Sequence, residues 1–256
     1  MSRTTGLRGT WLLAGLTVLA QIGYPLTSGT ARDRLTVATV ALFFATSVTH
    51  ALITRGARFT AALVGVTTGG GLLVEAIGVR TGIPFGDYAY ADSLGAKVLG
   101  VPVVIPLAWT MMAYPALLVA HRVTTRPLLE AVLAGAALAS WDLFLDPQMV
   151  AAGHWIWSAS GPSITGIPVS NYLGWLVVAT VMMGLLQQLV RDRDGGDVAV
   201  PYALYLWTYA SSVLANLAFF GRPLVALVGG LGMGAVVAIF LRSTLHAPAR
   251  ARLATP

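Results

Sequence analysis

Eight apolar runs, each about the length of a membrane crossing, constrain this chain more than any other feature. They fall at about 11–27, 35–54, 60–79, 99–120, 128–146, 170–190, 201–220 and 223–241. A helix rises 1.5 Å per residue, so runs of roughly 16–22 residues suit a hydrocarbon core about 30 Å thick. Composition points the same way. Hydrophobic residues make up 56% of the chain and charged residues only 10%, whereas a soluble domain carries roughly a quarter charged residues. The expected fold is all-α: a polytopic membrane bundle of about eight helices in one domain over 1–256, with seven spans as the alternative count. The first run, with Arg3 and Arg8 ahead of it, has the outline of a signal peptide. Its core is longer than a usual signal core and no soluble domain follows, so it is read as a span.

The basic residues sort by side. With eight spans and an inner N-terminus, the inner segments carry Arg3, Arg8, Arg55, Arg58, Arg122, Arg126, Arg191, Arg193, Arg242, Arg250 and Arg252. The outer segments carry Arg32, Arg34, Arg80, Lys97 and Arg222. The excess places both termini in the cytoplasm, and the single lysine, Lys97, beside fifteen arginines suggests a GC-rich bacterial genome and hence a bacterial cell membrane. It also explains the net charge of +6: no basic stripe is interleaved with aromatics, so nucleic acid is not an expected partner. The absence of cysteine excludes disulfides, thiolate nucleophiles and cysteine metal sites. Metal-binding HExxH, phosphate-loop, dinucleotide and serine-elbow motifs are missing too, and no metal or cofactor is expected.

Two connections are long, 80–98 and 147–169, and both lie on the outer side. Their Tyr88-Ala89-Tyr90 and Trp155-Ile156-Trp157 alternations suit the bilayer interface. Three Gly-apolar-Pro triplets, at Gly82, Gly100 and Gly166, form an internal echo too weak to carry a repeat architecture. Gly65 with Gly69, and Gly230 with Gly234, would allow close helix packing. The 191–197 segment reads as a solvated cytoplasmic turn and 243–256 as a disordered tail.

Three acids ignore the hydropathy rule. Glu75 lies in the third run, and Asp142 and Asp146 lie in the fifth. A charge in hydrocarbon is costly, so such residues turn toward a protein interior or cavity. Asp142 and Asp146 share one helix face, and Pro147 is expected to end that helix. All three acids fall at one depth, beneath the two long loops. The plain alternative is pairing of Glu75 or Asp146 with Arg80, or capping by Asp146. His50 and His121 read as residues of the inner interface. Asn171 reads as a helix cap and Asn216 as glue between helices.

In a low-dielectric interior the charged form of a carboxyl group is disfavoured, and a second carboxylate disfavours it further. A carboxylic acid that keeps its proton can protonate an alkene, while an ionised neighbour stabilises the carbocation or orients water. Trp109, Trp141, Trp155 and Trp157 can add cation–π stabilisation.

The run Gly82-Ile83-Pro84-Phe85-Gly86-Asp87-Tyr88-Ala89-Tyr90, with Gly100-Val101-Pro102, Pro106-Leu107-Ala108-Trp109 and Tyr114-Pro115-Ala116, resembles the central block of the CruF-type carotenoid biosynthesis proteins. The runs Trp141 to Val150, Gly153 to Trp157 and Gly166 to Trp175 resemble that family's second block. The likeness is strong over 72–176. It implies cofactor-independent hydration of the terminal double bond of an acyclic ψ-end carotenoid, with Glu75, Asp87, Asp142 and Asp146 as candidate acids. Asp142 or Asp146 is the expected general acid, the other stabilising charge or positioning water, with Glu75 as third member. Trp109, Trp141, Tyr88, Tyr90, His154, Trp155, Trp157 and Asn171 complete the candidate substrate-binding set. Expected partners are the lipophilic carotenoid, the lipid bilayer and other carotenoid enzymes. The alternatives are a lycopene-cyclase-like enzyme, a proton-coupled transporter, and a structural partner of other carotenoid enzymes.

Overall fold

The structure, a computed structural model, describes residues 3–158, 161–190 and 196–245. Eight α-helices dominate it: α1 (Arg3–Gly23), α2 (Gly29–Val64), α3 (Gly70–Thr81), α4 (Val104–Val123), α5 (Pro127–Ala151), α6 (Val169–Leu189), α7 (Ala199–Ala218) and α8 (Pro223–Leu245). Six short strands occupy the two long connections: β1 (Tyr88–Tyr90), β2 (Lys97–Val98), β3 (Val101–Pro102), β4 (Trp155–Trp157), β5 (Ser163–Ile164) and β6 (Ile167–Pro168). Five stretches are long and apolar enough to cross a membrane: Gly29–Thr81, Val104–Val123, Pro127–Ala151, Val169–Leu189 and Pro223–Leu245. The expected 191–197 turn and the tail beyond 245 fall almost wholly outside the described residues.

A π-helical turn at Gly65–Gly69 joins α2 to α3, so helix runs from residue 29 to 81 with one break. The break is Gly56, at φ +84°, a left-handed value that glycine adopts without strain. It reverses the chain. Before it, Ser47 meets Met111 and His50 meets Tyr114. After it, Phe59 meets Tyr114, Thr67 meets Thr110 and Glu75 meets Trp109. The register climbs α4 on one leg and descends it on the other, so the runs 35–54 and 60–79 form a helical hairpin around α4.

The connections after residues 23, 81, 151 and 218 share one end of the bundle. Gln148 donates to Tyr24 and Arg222 donates to Gln148, both at 2.8 Å. The opposite end holds both described termini. Gly6 lies against Ile53, and Tyr202, which reaches Leu118, also meets Phe240. His50 is fully buried there rather than interfacial, 2.9 Å from Tyr114, and partly buried His121 pairs with Glu130 at 3.3 Å. Gly234 admits Tyr209 between α7 and α8. A Cβ added at Gly65 or Gly69 would meet nothing within 4 Å, so neither glycine is needed for a close helix contact; both belong to the π turn.

The aromatic alternations are strands. β1 pairs antiparallel with β4, Tyr88 opposite Trp157, Ala89 opposite Ile156 and Tyr90 opposite Trp155. Side chains alternate across a strand, so the four rings turn inward while Ala89 and Ile156 face out. The two long loops therefore fasten to each other.

The weak sequence echo is a structural repeat. The order helix, strand, hairpin, helix occurs in α3–β1–β2–β3–α4 and again in α5–β4–β5–β6–α6. Glu75 precedes Tyr88 by thirteen residues, and Asp142 precedes Trp155 by thirteen. Both hairpins turn through left-handed pairs, Leu99 (+55°) with Gly100 (+89°) and Thr165 (+54°) with Gly166 (+85°), the twist that two-residue hairpins favour. The β1–β4 pairing is centred on the equivalent residues Ala89 and Ile156. Trp109 and Trp175, each nine residues past the equivalent glycine, stack at 4.0 Å and 6°. Both copies cross the bundle in the same sense, so the repeat is not inverted.

α5 and α6 meet backbone to backbone at Gly135, where an added Cβ would lie 2.8 Å from Thr180 Cα. Gly135→Ala is expected to destabilise by about 1–3 kcal/mol, lowering Tm in detergent. Gly184→Ala on α6, with nothing within 4 Å, should leave Tm unchanged or slightly raised. Equal shifts in the two variants would contradict this packing.

Candidate active site

α3 carries Glu75 into the protein interior at 2% exposure. Its Oε2 accepts from the hydroxyls of Tyr88 (2.5 Å) and Tyr90 (2.8 Å), and its Oε1 from Trp109 Nε1–H (3.2 Å). Gly78 makes room for this, since a Cβ there would lie 2.7 Å from the Tyr88 oxygen. Arg80 plays no part in holding Glu75; its guanidinium donates to Ala76 O. The strand alternation of β1 thus delivers two phenols to one carboxylate.

α5 supplies the other two acids. Pro147 does not end this helix, which runs on to Ala151. Proline inside a helix withdraws one donor, and α5 tolerates it. Asp142 and Asp146, buried at 0% and 3% exposure, lie one turn apart on one face of α5. Asn171, in the first turn of α6, does not cap that helix. Its Nδ2 donates to Asp142 Oδ2 at 2.8 Å and also to Asp146 Oδ2. Asp142 Oδ1 is buried without a hydrogen-bond partner among the described residues.

One cavity of about 190 Å³ joins these groups. Glu75, Asp146 and Asn171 line it, with the rings of Phe85, Tyr88, Tyr90, Trp141, Trp155, Trp157 and Trp175. Carboxyl oxygens and aromatic faces therefore share a mostly apolar space. Such a site can place a proton at one point of a hydrocarbon and stabilise positive charge beside it.

The predicted residues divide. Asp142 lies behind Asp146, outside the cavity lining. Trp109 is wholly buried and holds Glu75 rather than facing the cavity. His154 is buried in the loop, 2.8 Å from Ser93 Oγ and 3.8 Å from Asp33, and burial lowers its pKa. It braces the connection between β4 and the start of α2. Asp87 is exposed in the turn before β1; its backbone oxygen accepts from Ser158 N. The fold does not bring it to the other acids, because β1 directs Tyr88 and Tyr90 inward in its place. Asn216 bonds within its own helix, to Ser212 O, so it is not glue between helices. Sequence reasoning missed Phe85 and Trp175 as lining residues. The nine-residue spacing from Gly100 to Trp109 and from Gly166 to Trp175 was the available signal for the second.

Residues 35–250 match a family described as carotenoid biosynthesis protein. Over 129 residues the chain is 38% identical to the bisanhydrobacterioruberin hydratase of Haloarcula japonica. That match covers 48% of this chain and 42% of the relative, so less than half of the relative's length is spanned. No solved structure matches the chain.

Burial, and after it the Glu75 charge, hold the phenols of Tyr88 and Tyr90 above the ordinary tyrosine range. A group whose pKa is raised on folding binds its proton more tightly in the native state. Its contribution is complete below the unfolded value, near pH 10, and is lost as pH rises toward the folded value. Tm of the wild type should therefore be level from pH 8 to about 9.5 and fall beyond pH 10. Tyr88→Phe/Tyr90→Phe should start lower and fall less steeply over pH 10–11; an unchanged slope would contradict the arrangement.

Proposed function

The chain belongs to the carotenoid biosynthesis protein family, and from that membership and the site geometry we propose that it is a membrane hydratase of acyclic carotenoids. The observation that carries this reading is the pair Asp146 and Glu75, both within spans, lining one aromatic cavity. Asp146 delivers a proton to C2 of a terminal isopropylidene group. Markovnikov addition leaves a tertiary cation at C1. Water attacks C1, and the oxonium returns its extra proton to the aspartate pair. One water is gained, one double bond is lost, and the acid is restored. No electron leaves or enters, so the proposal names no redox cofactor.

Asp146 is preferred to Asp142 as donor because it lines the cavity and Asp142 does not. The repeat supports the choice. Where the second copy has Asp146 and Asn171, the first has Val79 and Ile105, so this acid–amide pair stands in the second copy alone. Asp142 and Asn171 position Asp146 and share its charge. Glu75, accepting from three donors, is the counter-ion to the cation, helped by the faces of Trp141, Trp155, Trp157 and Trp175.

The arginine distribution supports eight spans, cytoplasmic termini and a cell membrane. The acids then sit toward the outer leaflet. The proposed partners are an acyclic ψ-end carotenoid, the bilayer that delivers it, and the enzymes that make or consume it.

Expression in a host accumulating an acyclic carotenoid should yield a product heavier by one water per reacted end. An isomer of unchanged mass would identify a cyclase, and unconverted carotenoid would remove the enzymatic reading. Asp146→Asn should lower turnover by about 10²–10⁴-fold, the range of general acid catalysis, with Asp142→Asn and Glu75→Gln also impaired. Full activity in Asp146→Asn would overturn its role. Separately, a reporter fused after residue 245 that is active only in the cytoplasm should be active.

A further inference from the structure

The cavity has a second polar wall that the proposed chemistry does not use. It is built by Gln21 of α1, Thr39 of α2, and Ser212 and Asn216 of α7, helices that lie outside the repeat. Asn216 is 3% exposed. Its Nδ2 bonds to Ser212 O, but Oδ1 is buried with no hydrogen-bond partner among the described residues. Thr39 Oγ1 is in the same condition. Gln21 Oε1 already accepts from Trp207 Nε1–H at 2.7 Å. The acids and these groups line one space, whose remaining wall includes Val40, Ile105, Met111 and Phe144.

Orphaned acceptors are costly in a membrane interior, where bulk water cannot reach them. Two of them on one cavity call for a ligand that donates O–H bonds. An aliphatic polyene has none to give. Water has two, and it accepts as well, which suits the hydroxyl of Thr39. A buried water needs two to four polar partners, and this wall offers that number.

We propose that the Gln21–Thr39–Asn216 wall is a hydroxyl-binding subsite that holds the water destined for C1. The inference rests on the hydratase reading. The subsite faces the cavity from helices α1, α2 and α7, while the proton comes from α5. Water and acid therefore approach the double bond from different walls. After capture, the same oxygen is the product's tertiary hydroxyl, and the same acceptors hold it. A hydroxyl already present on a substrate would present the same chemistry, and the test separates the two sources.

Turnover in D₂O provides the test. Protonation without capture is reversible: the cation sheds a hydron and returns as alkene carrying deuterium at C2. Deuterium in recovered substrate thus counts protonation without capture, added water counts capture, and their sum counts protonation. Asn216→Leu and Thr39→Val should each lower hydration about tenfold, the loss expected for one or two hydrogen bonds to the nucleophile. Deuterium exchange should hold or rise, because cations that escape capture return as labelled alkene, and this also shows that each variant is folded and binds substrate. A parallel fall of exchange and hydration overturns the proposal. A rise in KM confined to hydroxylated carotenoids, with the exchange-to-hydration ratio unchanged, overturns water as the occupant and assigns the wall to a substrate hydroxyl. If the wild type neither exchanges nor hydrates, the hydratase reading itself fails.

Discussion

A carboxyl group inside a membrane must find its hydrogen-bond partners in the protein, because hydrocarbon offers none. This requirement organises the structure. Glu75 takes its partners from Tyr88, Tyr90 and Trp109, so the loop after α3 has to fold back over the bundle. That return depends on Gly78, where any side chain would occupy the place of the Tyr88 hydroxyl. Once β1 is drawn inward, its exposed edge pairs with β4, and the second loop is fixed by the first. The lid over the cavity follows from one buried acid.

The repeat shows how differently two copies of a unit can meet that requirement. In the first copy a single acid accepts from three donors. In the second, Asn171 Nδ2 donates to two acids one helical turn apart. Three donors satisfy a carboxylate. Hydrogen bonding therefore differs between the halves: one acid is held by three donors in the first, and one amide bridges two acids in the second. The halves meet across the stacked Trp109 and Trp175.

Much of this was legible in the sequence, and the gaps have physical causes. Every apolar run falls mainly in helix, with 35–54 and 60–79 as the two legs of the broken stretch 29–81, because span length is set by bilayer thickness, a constraint local to each run. The buried acids and their common depth were legible because ten acids in a chain of this composition leave few exceptions. The strand pairing was not, since Tyr88 and Trp157 lie far apart in sequence and two-residue alternation also fits an interfacial anchor. The repeat was hidden by divergence at the very positions that matter: Glu75 became Asp142, Tyr88 became Trp155, and Ile105 became Asn171. The turn glycines kept their identity, because a left-handed backbone position tolerates few substitutes, as did the prolines two residues on and the stacked Trp109 and Trp175. Asp87 misled because sequence proximity to Tyr88 says nothing about direction; adjacent strand residues face opposite ways.

A site that makes a tertiary cation has to choose what captures it. Aromatic faces stabilise the cation without ending it, so a cavity lined only by rings favours attack by the polyene's own double bonds. Capture by water requires polar groups within the same apolar space, placed where they neither quench the acid nor solvate the resting alkene. α1, α2 and α7 stand apart from the duplicated unit and contribute Gln21, Thr39, Ser212 and Asn216 to the cavity. In the proposed reaction the division of labour is then spatial. The duplicated core generates charge, and the added helices decide its fate, so the choice between water and an internal alkene rests on residues outside the motif blocks.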